Sequence, residues 1–303
     1  MSGKKYFLTN MLVFKNEALY LKEWLDYHIL TGVQHFYLYD NNSKDDLSIL
    51  DWYEKNNIIT YRTLDVDFTF DSPAQPHRME AISKYGPDSQ WMMFNDIDEF
   101  IYVPNRKDNI HRILDRYSEY SAIALKRVDF GNNGLSHYDN RLVIERFSKR
   151  NSSATHFKSV ARPKHIKDLE NGHYFNLKKR VCTYPKTMTF SRQPLNPMDK
   201  KSWLQGPGDP VYINHYVCKS KEECFGIKNK YTSPKERDRH HRRLRGFFIN
   251  RWSTKKWNAV DGGMSFYIKY LQNDFVRKNY SQIKEYYEFH SLTKELNLET
   301  LGA

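Results

Sequence analysis

Strand-like and helix-like segments alternate at the start of the chain, and this alternation restricts the fold more than any other feature. The runs YFLTNMLVF at 6–14 and VQHFYLYD at 33–40 have the composition of buried strands. Between them, apolar residues from Leu19 to Ile29 recur at helical spacing, and Gly32 stands where a helix would end. Short connections of this kind predict an α/β fold with a mostly parallel sheet.

The alternation continues through the first third of the chain. The patterns predict a helix at 47–56, a strand at 58–66, a loop and helix at 72–86, and a strand at 91–101. Ligands of open α/β sheets bind beyond the carboxyl ends of the strands. Asp40 and the acidic residues at 96–99 are therefore predicted on the functional edge.

The pattern is weaker downstream. A helix at 110–117, strands at 121–130 and 211–220, short strand-like pieces at 140–200 and helices near the end of the chain are predicted. There is no internal repeat and no low-complexity linker.

Charge and cysteine content narrow the class of protein. The net charge of +12 and the pI near 9.3 favour an anionic partner, such as nucleic acid, a phosphorylated small molecule or an anionic membrane. The 3 cysteines include no CxxC pair, which argues against a disulfide framework or a zinc site and favours a reducing compartment. The N-terminus is a poor signal peptide, and no apolar run is long enough to span a membrane.

The stretch WMMFNDIDEFI ends a core strand in three carboxylates, Asp96, Asp98 and Glu99. Hard oxygen ligands of this kind suit Mg²⁺ or Mn²⁺, which neutralise the charge of a departing phosphate group. The alternative is a solvated turn or a helix cap. A phosphatase that uses an aspartyl phosphate is disfavoured, because its Asp-x-Asp follows the first strand.

A series of motifs in this order resembles glycosyltransferase family 92, once a domain of unknown function, and its family-2-like relatives. The motifs are KNEALYLKEWLDYHILTGVQHFYLYDNNSKDD, W..FNDIDEF, FGNNG and INHYVCKSKEEC, within residues 6–230. The resemblance implies a GT-A fold, a Rossmann-like mixed sheet flanked by helices. It divides the chain into a domain at 1–230, with a nucleotide-sugar half at 1–105 and an acceptor half at 106–230, and a helical, basic extension at 231–303.

The resemblance also implies roles for individual residues. The implied metal ligands are Asp96, Asp98 and His215, with Mn²⁺ or Mg²⁺ as cofactor; the implied nucleotide-sugar contacts are Lys15, Asn16, Glu17, Asp40, Arg78 and Asp96. Each has a structural alternative. His215 would also suit a core histidine, Glu17 a first-turn residue that compensates the helix dipole, and Arg78 a solvated helix charge.

Inversion, the outcome expected of the family, needs a carboxylate that takes the proton of the acceptor hydroxyl. Asp129 is our predicted base, ahead of Asp139, Glu145 and Asp209. The segment KRVDFGNNG lacks the aromatic or apolar residue that the family usually has near its start, so this assignment stays open.

The basic segment KERDRHHRRLRG at 235–246 has aromatic residues nearby, which favours a surface that docks on anionic lipid. The lack of an anchor predicts a cytoplasmic enzyme, and the basic segment predicts peripheral contact with a membrane; no nucleic acid partner is expected.

Together these features predict a metal-dependent transferase that moves a sugar from a nucleotide-sugar donor to a glycan or glycolipid acceptor in surface-glycan synthesis. The resemblance implies a UDP-sugar, with UDP-galactose as the leading choice. Two alternatives remain open: a basic nucleic-acid-binding protein with a structural acidic turn, and a metal-dependent phosphotransferase or nuclease.

Overall fold

The fold was analysed in a computed structural model. It describes residues 3–64, 74–105, 108–151, 156–169, 173, 175–178, 187–189, 209–217, 219–224, 258–259 and 264–289. The helices are α1 (Ala18–Thr31), α2 (Asp51–Lys55), α3 (Gln75–Tyr85), α4 (Ile110–Asp115), α5 (Val143–Arg146), α6 (Met264–Leu271) and α7 (Phe275–Phe289). The strands are β1 (Tyr6–Phe14), β2 (His35–Asp40), β3 (Ile59–Thr63), β4 (Ser89–Met93), β5 (Glu99–Tyr102), β6 (Ala122–Asp129), β7 (Lys149–Arg150), β8 (His156–Ala161), β9 (Ile166–Leu169), β10 (Phe175–Leu177), β11 (Thr187–Thr189), β12 (Tyr212–His215) and β13 (Asn258–Ala259).

Within the part of the chain that the structure describes, nine strands form one mixed sheet. Its order is β3-β2-β1-β4-β8-β6-β12-β5, with β11 also paired to β6. The strands β1 to β4 are parallel, as the alternation predicted, and β12 is parallel to β6. The antiparallel strand β8 joins these two groups, so β4, β6 and β12 all end at the same edge of the sheet.

The predicted strand at 91–101 is wrong as a single element. The structure breaks it into β4 and β5, and β5 pairs with β12 at the far border of the sheet. A turn separates the two strands, and the Glu99 amide donates to the Asp96 carbonyl across it at 3.0 Å. The four polar residues between 95 and 99 could not all find hydrogen-bond partners inside a strand that is buried on both faces. The chain therefore forms a turn here.

Helix α1 lies between the sheet and the C-terminal helices. Its Trp24 and Tyr27 are fully buried, and the Tyr27 ring centroid is 4.5 Å from that of Tyr267 in α6. The Tyr287 hydroxyl of α7 donates to the Leu30 carbonyl at 2.9 Å. The predicted C-terminal helices therefore belong to the same core as α1.

Two of the sequence predictions concern residues that the structure does not describe. The basic segment at 235–246 lies outside the described residues, and so does the predicted boundary at 230. Among the helices that are described, none is long and apolar enough to cross a bilayer.

Gly32 ends α1 in a left-handed conformation, with a φ of 106°. A Cβ at this position would lie 2.9 Å from Tyr287, 3.0 Å from Ile110 and 3.1 Å from His111. We expect Gly32→Ala to lower the free energy of unfolding by about 2–5 kcal/mol, because backbone strain adds to a clash in the core. Urea denaturation measures this loss.

Gly134 provides the matched control. Its φ is also positive, at 81°, but nothing lies within 4 Å of its added Cβ. Gly134→Ala should therefore cost only the backbone term, about 1–2 kcal/mol. Equal losses in the two variants would contradict the proposed clash.

Candidate active site

The register of three strands gathers the acidic and histidine side chains at one edge of the sheet. His215 of β12 is paired with Glu99 of β5 on one side and with Asp129 of β6 on the other. The turn before β5 carries Asp98, whose carbonyl accepts from the Tyr216 amide at 2.8 Å. Positions far apart in the sequence thus form one cluster because of strand order.

His215 lies between two carboxylates. Its Nδ1 is 2.8 Å from Asp129 Oδ1, and its Nε2 is 3.7 Å from Asp98 Oδ2. A carboxylate can only accept, so Nδ1 carries a proton and donates to Asp129. The Nε2 atom, which carries the lone pair in this tautomer, faces the Asp98 carboxylate, and a cation between the two groups would be bound favourably.

Lys158 of β8 lies under the acidic turn with a 2% exposed side chain. Its Nζ is 2.9 Å from Asp96 Oδ2 and 3.0 Å from Glu99 Oε2, and it donates to the Phe94 carbonyl. Burial alone would lower the pKa of Lys158, but the two carboxylates outweigh burial and raise it. Burial raises the pKa of Glu99, against the opposing effect of Lys158. The ammonium therefore stays charged and holds the turn in place.

Two arginines complete the positive side of the cluster. Arg78 Nη2 lies 3.7 Å from Asp96 Oδ1, and Arg127 Nη1 lies 3.5 Å from Glu99 Oε1. Burial would raise the pKa of Asp96, but Lys158 and Arg78 dominate and hold it well below its usual range. The Asp96 carboxylate is thus ionised, with 46% of its side-chain surface still exposed.

The predicted donor loop follows β1 and is tied to the loop after β2. Asn16 has a φ of 52°. Its backbone amide donates to Ser43 Oγ at 2.8 Å, and its side-chain oxygen accepts from the backbone amide of Lys44 at 2.7 Å. Asp40 accepts from the Ser43 amide and from the Tyr61 hydroxyl. Asn16 and Asp40 therefore hold these loops in a fixed shape at the same edge as Asp98.

The other two predicted donor-loop residues differ in exposure. Lys15 is half-buried. Glu17 is buried at the start of α1. Their nucleotide contacts stay predictions.

The sequence model of glycosyltransferase family 92 matches residues 9–246. The chain belongs to glycosyltransferase family 92. The match contains every predicted site residue, and the helix-flanked mixed sheet agrees with the expected GT-A fold.

Curated family 92 proteins are similar to this chain over part of their length. One from Ricinus communis is 27% identical over 187 residues, which are 58% of this chain and 32% of that protein. One from Arabidopsis thaliana is 25% identical over 195 residues, 59% of this chain and 33% of that protein. The matched region thus spans about a third of the length of these relatives.

Two further similarities concern named enzymes. A galactan β-1,4-galactosyltransferase of Arabidopsis thaliana is 26% identical over 115 residues, 36% of this chain and 22% of that protein. The crystal structure of S. aureus TarS in complex with UDP-GlcNAc has a TM-score of 0.41 and 13% identity, and covers 93% of this chain and 73% of that chain.

Asp98 and His215 of this family 92 chain have the oxygen and nitrogen ligand types that suit a divalent cation. Their facing atoms are 3.7 Å apart, so they would have to approach to about 3.0 Å to be neighbouring ligands of an octahedral ion with bonds of about 2.1 Å. The Asp129–His215 hydrogen bond is the partner that metal-binding histidines usually have. Among the described residues, no three such ligand side chains surround one point, so substrate phosphates and water would complete the shell.

The four candidate bases lie in different environments. Asp129 has a 3% exposed side chain directed at His215, and Asp209 lies before β12 beside Lys126, at 3.3 Å. Asp139 and Glu145 both face Arg141, at 2.6 Å and 3.8 Å. The choice of Asp129 as base stays a prediction, and its position favours a role in orienting His215.

Lys158 and Arg127 are site residues that the sequence analysis missed. In the stretch HFKSVA, strand alternation gives no reason to place a charged lysine inside the protein. The one available signal was the excess of carboxylates in the motif, because buried carboxylates need cations.

Proposed function

We propose that this family 92 chain transfers a sugar from a nucleotide-sugar donor to a hydroxyl group of a glycan or glycolipid. The observation that carries this proposal is the pair Asp98 and His215, which face each other across 3.7 Å at the carboxyl edge of the sheet. Ligands of open α/β sheets bind at that edge. Family membership makes sugar transfer the first choice over phosphotransfer or nucleic acid binding.

The residues of the cluster divide into three roles. Asp98 and His215 would hold Mn²⁺ or Mg²⁺, which supplies charge neutralisation for the departing diphosphate. Asp129 fixes the His215 ring by accepting from Nδ1 at 2.8 Å. Arg78, with a 14% exposed side chain, adds positive charge where the diphosphate would lie.

We further propose a UDP-sugar as donor, with galactose as the first sugar to test. The similarity to a galactan galactosyltransferase supports galactose. The same proposal includes inversion at the sugar, with one of the four candidate carboxylates as the base. It also includes membrane docking through the basic segment at 235–246.

Thermal unfolding with UDP, GDP, CDP and ADP, each with Mn²⁺ or with EDTA, tests the donor site. We expect UDP to stabilise the chain only with Mn²⁺, by about 2.7 kcal/mol at a hundred times the dissociation constant. Stabilisation by no nucleotide, together with salt-sensitive binding of oligonucleotides, would contradict the transferase and favour a nucleic-acid-binding protein.

The Asp129–His215 hydrogen bond gives a separate prediction. Asp129→Ala should weaken Mn²⁺ binding by about 10–100-fold, because the His215 ring loses its orientation. Asp129→Asn keeps an accepting oxygen and should lose less. Titration of free Mn²⁺ by electron paramagnetic resonance measures both, and unchanged affinity in Asp129→Ala would exclude the orienting role.

A further inference from the structure

A second concave site lies beside the acidic cluster, between α1 and the loop that precedes α5. It is a cavity of about 150 Å³, and its lining includes Leu19, Tyr20, Glu23, Tyr138, Asn140 and Arg141. Small-molecule sites usually exceed about 300 Å³. The cavity is therefore too small for a whole nucleotide sugar, but it suits a single sugar residue.

The cavity is close to the metal-binding pair. The first turns of α1 begin where β1 ends, at the edge that carries Asp98. Trp24 follows Glu23 in α1, and its indole N–H donates to the Glu99 carbonyl at 3.1 Å. Helix α1 thus joins the cavity wall to the acidic cluster.

A buried ion pair holds the wall rigid. Arg146 and Glu223 form two hydrogen bonds, at 2.7 Å and 2.9 Å, and both side chains are 1% exposed. Glu223 also accepts from the Tyr20 hydroxyl at 2.8 Å. The Arg146 guanidinium lies 5.2 Å from the centre of the Tyr138 ring. The backbone amide of Tyr138 donates to the Glu222 carboxylate at 2.8 Å. Tyr138 is therefore a pre-organised aromatic surface.

The charges around the cavity are compensated inside the protein. Lys22 pairs with Asp26 and Asp274, each at 2.9 Å. Arg141 pairs with Asp139 at 2.6 Å. The Glu23 carboxylate accepts from two backbone amides, those of Val143 and Ile144. Since these charged groups of the described lining residues already have partners, the lining favours a neutral ligand.

The mouth combines apolar and polar groups. Leu19 is 48% exposed, the only large apolar side chain of the described residues that is exposed to this degree. Asn140 and Arg141 are exposed, and Tyr138 is half-buried. An aromatic ring and an apolar side chain suit the C–H face of a sugar, and amide and guanidinium groups suit its hydroxyls.

We propose that this cavity is an acceptor subsite that binds a neutral hexose residue of the glycan. The assignment to the acceptor rests on the proposed transferase function, whereas sugar binding itself rests on the cavity alone. Tyr138 provides the stacking surface, and Asn140 and Arg141 provide hydroxyl partners.

Isothermal titration with tetrasaccharides of galactose, glucose and mannose, and with a galacturonic acid tetrasaccharide, tests the proposal. At least one neutral probe should bind the full chain, and Tyr138→Ala should weaken that binding by about tenfold. Asn140→Ala should also weaken it. Tyr117→Ala, a half-buried tyrosine at the opposite edge of the sheet, is the control and should bind as the wild type does.

The outcomes separate the subsite from the transferase. Stabilisation of Tyr138→Ala by UDP and Mn²⁺ should equal that of the wild type, which also shows that the variant folds. No binding of any neutral probe, preference for the galacturonic acid probe, or full binding by Tyr138→Ala would overturn the subsite. Neutral-sugar binding that depends on Tyr138, in a chain that no nucleotide stabilises, would retain the sugar site and overturn the transferase.

Discussion

Asp98→Ala is expected to remove the Mn²⁺-dependent stabilisation by UDP and to lower sugar transfer by roughly 10²–10³-fold. Asp98 is the carboxylate that His215 Nε2 faces, at 3.7 Å. Its side chain is 20% exposed, so it remains accessible to a cation and a substrate phosphate. With alanine at position 98, His215 is the one remaining ligand of the proposed pair, and a single imidazole is a poor site for Mg²⁺ or Mn²⁺. Thermal unfolding with UDP and release of UDP from UDP-galactose measure the two effects.

Two further variants make this test specific. Asp115→Ala removes an exposed carboxylate of α4, at the other edge of the sheet, and should behave as the wild type does. Asp96→Ala removes a carboxylate that contacts Lys158 and Arg78, so it should weaken donor binding while leaving metal-dependent stabilisation detectable. If Asp96→Ala abolished the metal effect and Asp98→Ala kept it, the two aspartates would have exchanged roles.

The sequence predicts those parts of the fold that depend on local pattern. The run at 6–14 coincides with β1, and Gly32 ends α1 as expected, because apolar composition and a left-handed C-cap are local properties. The break between β4 and β5 is not a local property. It depends on β12, which supplies the partner strand for β5 from more than a hundred positions away.

The candidate site shows the same division. Motif order supplied Asp98, His215 and Asp129, and the structure brings all three together. Motif order could not show that Asp129 accepts a hydrogen bond from His215, since this depends on the register of β6 and β12. Nor could it show the cations. Lys158 reaches Asp96 only because β8 lies between β4 and β6.

Lys158→Met is expected to lower the free energy of unfolding by about 3–5 kcal/mol, because it removes the nearest counter-ion of a buried carboxylate and leaves only the more distant Arg127, at 3.5 Å. Glu99 accounts for most of this loss, since its side chain is 0% exposed. Asp96 is 46% exposed and can be solvated, so it contributes less. Urea denaturation measures the loss, and near-ultraviolet circular dichroism shows whether the variant is folded.

The double variant Lys158→Met/Glu99→Gln separates a lost counter-ion from lost packing. Glutamine keeps the shape of Glu99 without its charge, so the double variant should be more stable than Lys158→Met alone. Lys167→Met is the surface control, because Lys167 is 71% exposed and lies 3.9 Å from Asp168; it should cost about 0–1 kcal/mol. If Lys158→Met cost no more than Lys167→Met, water or a neighbouring cation would have replaced the ammonium. The acidic turn would then keep its shape without Lys158, and Arg78 and Arg127 would be the cations that balance it.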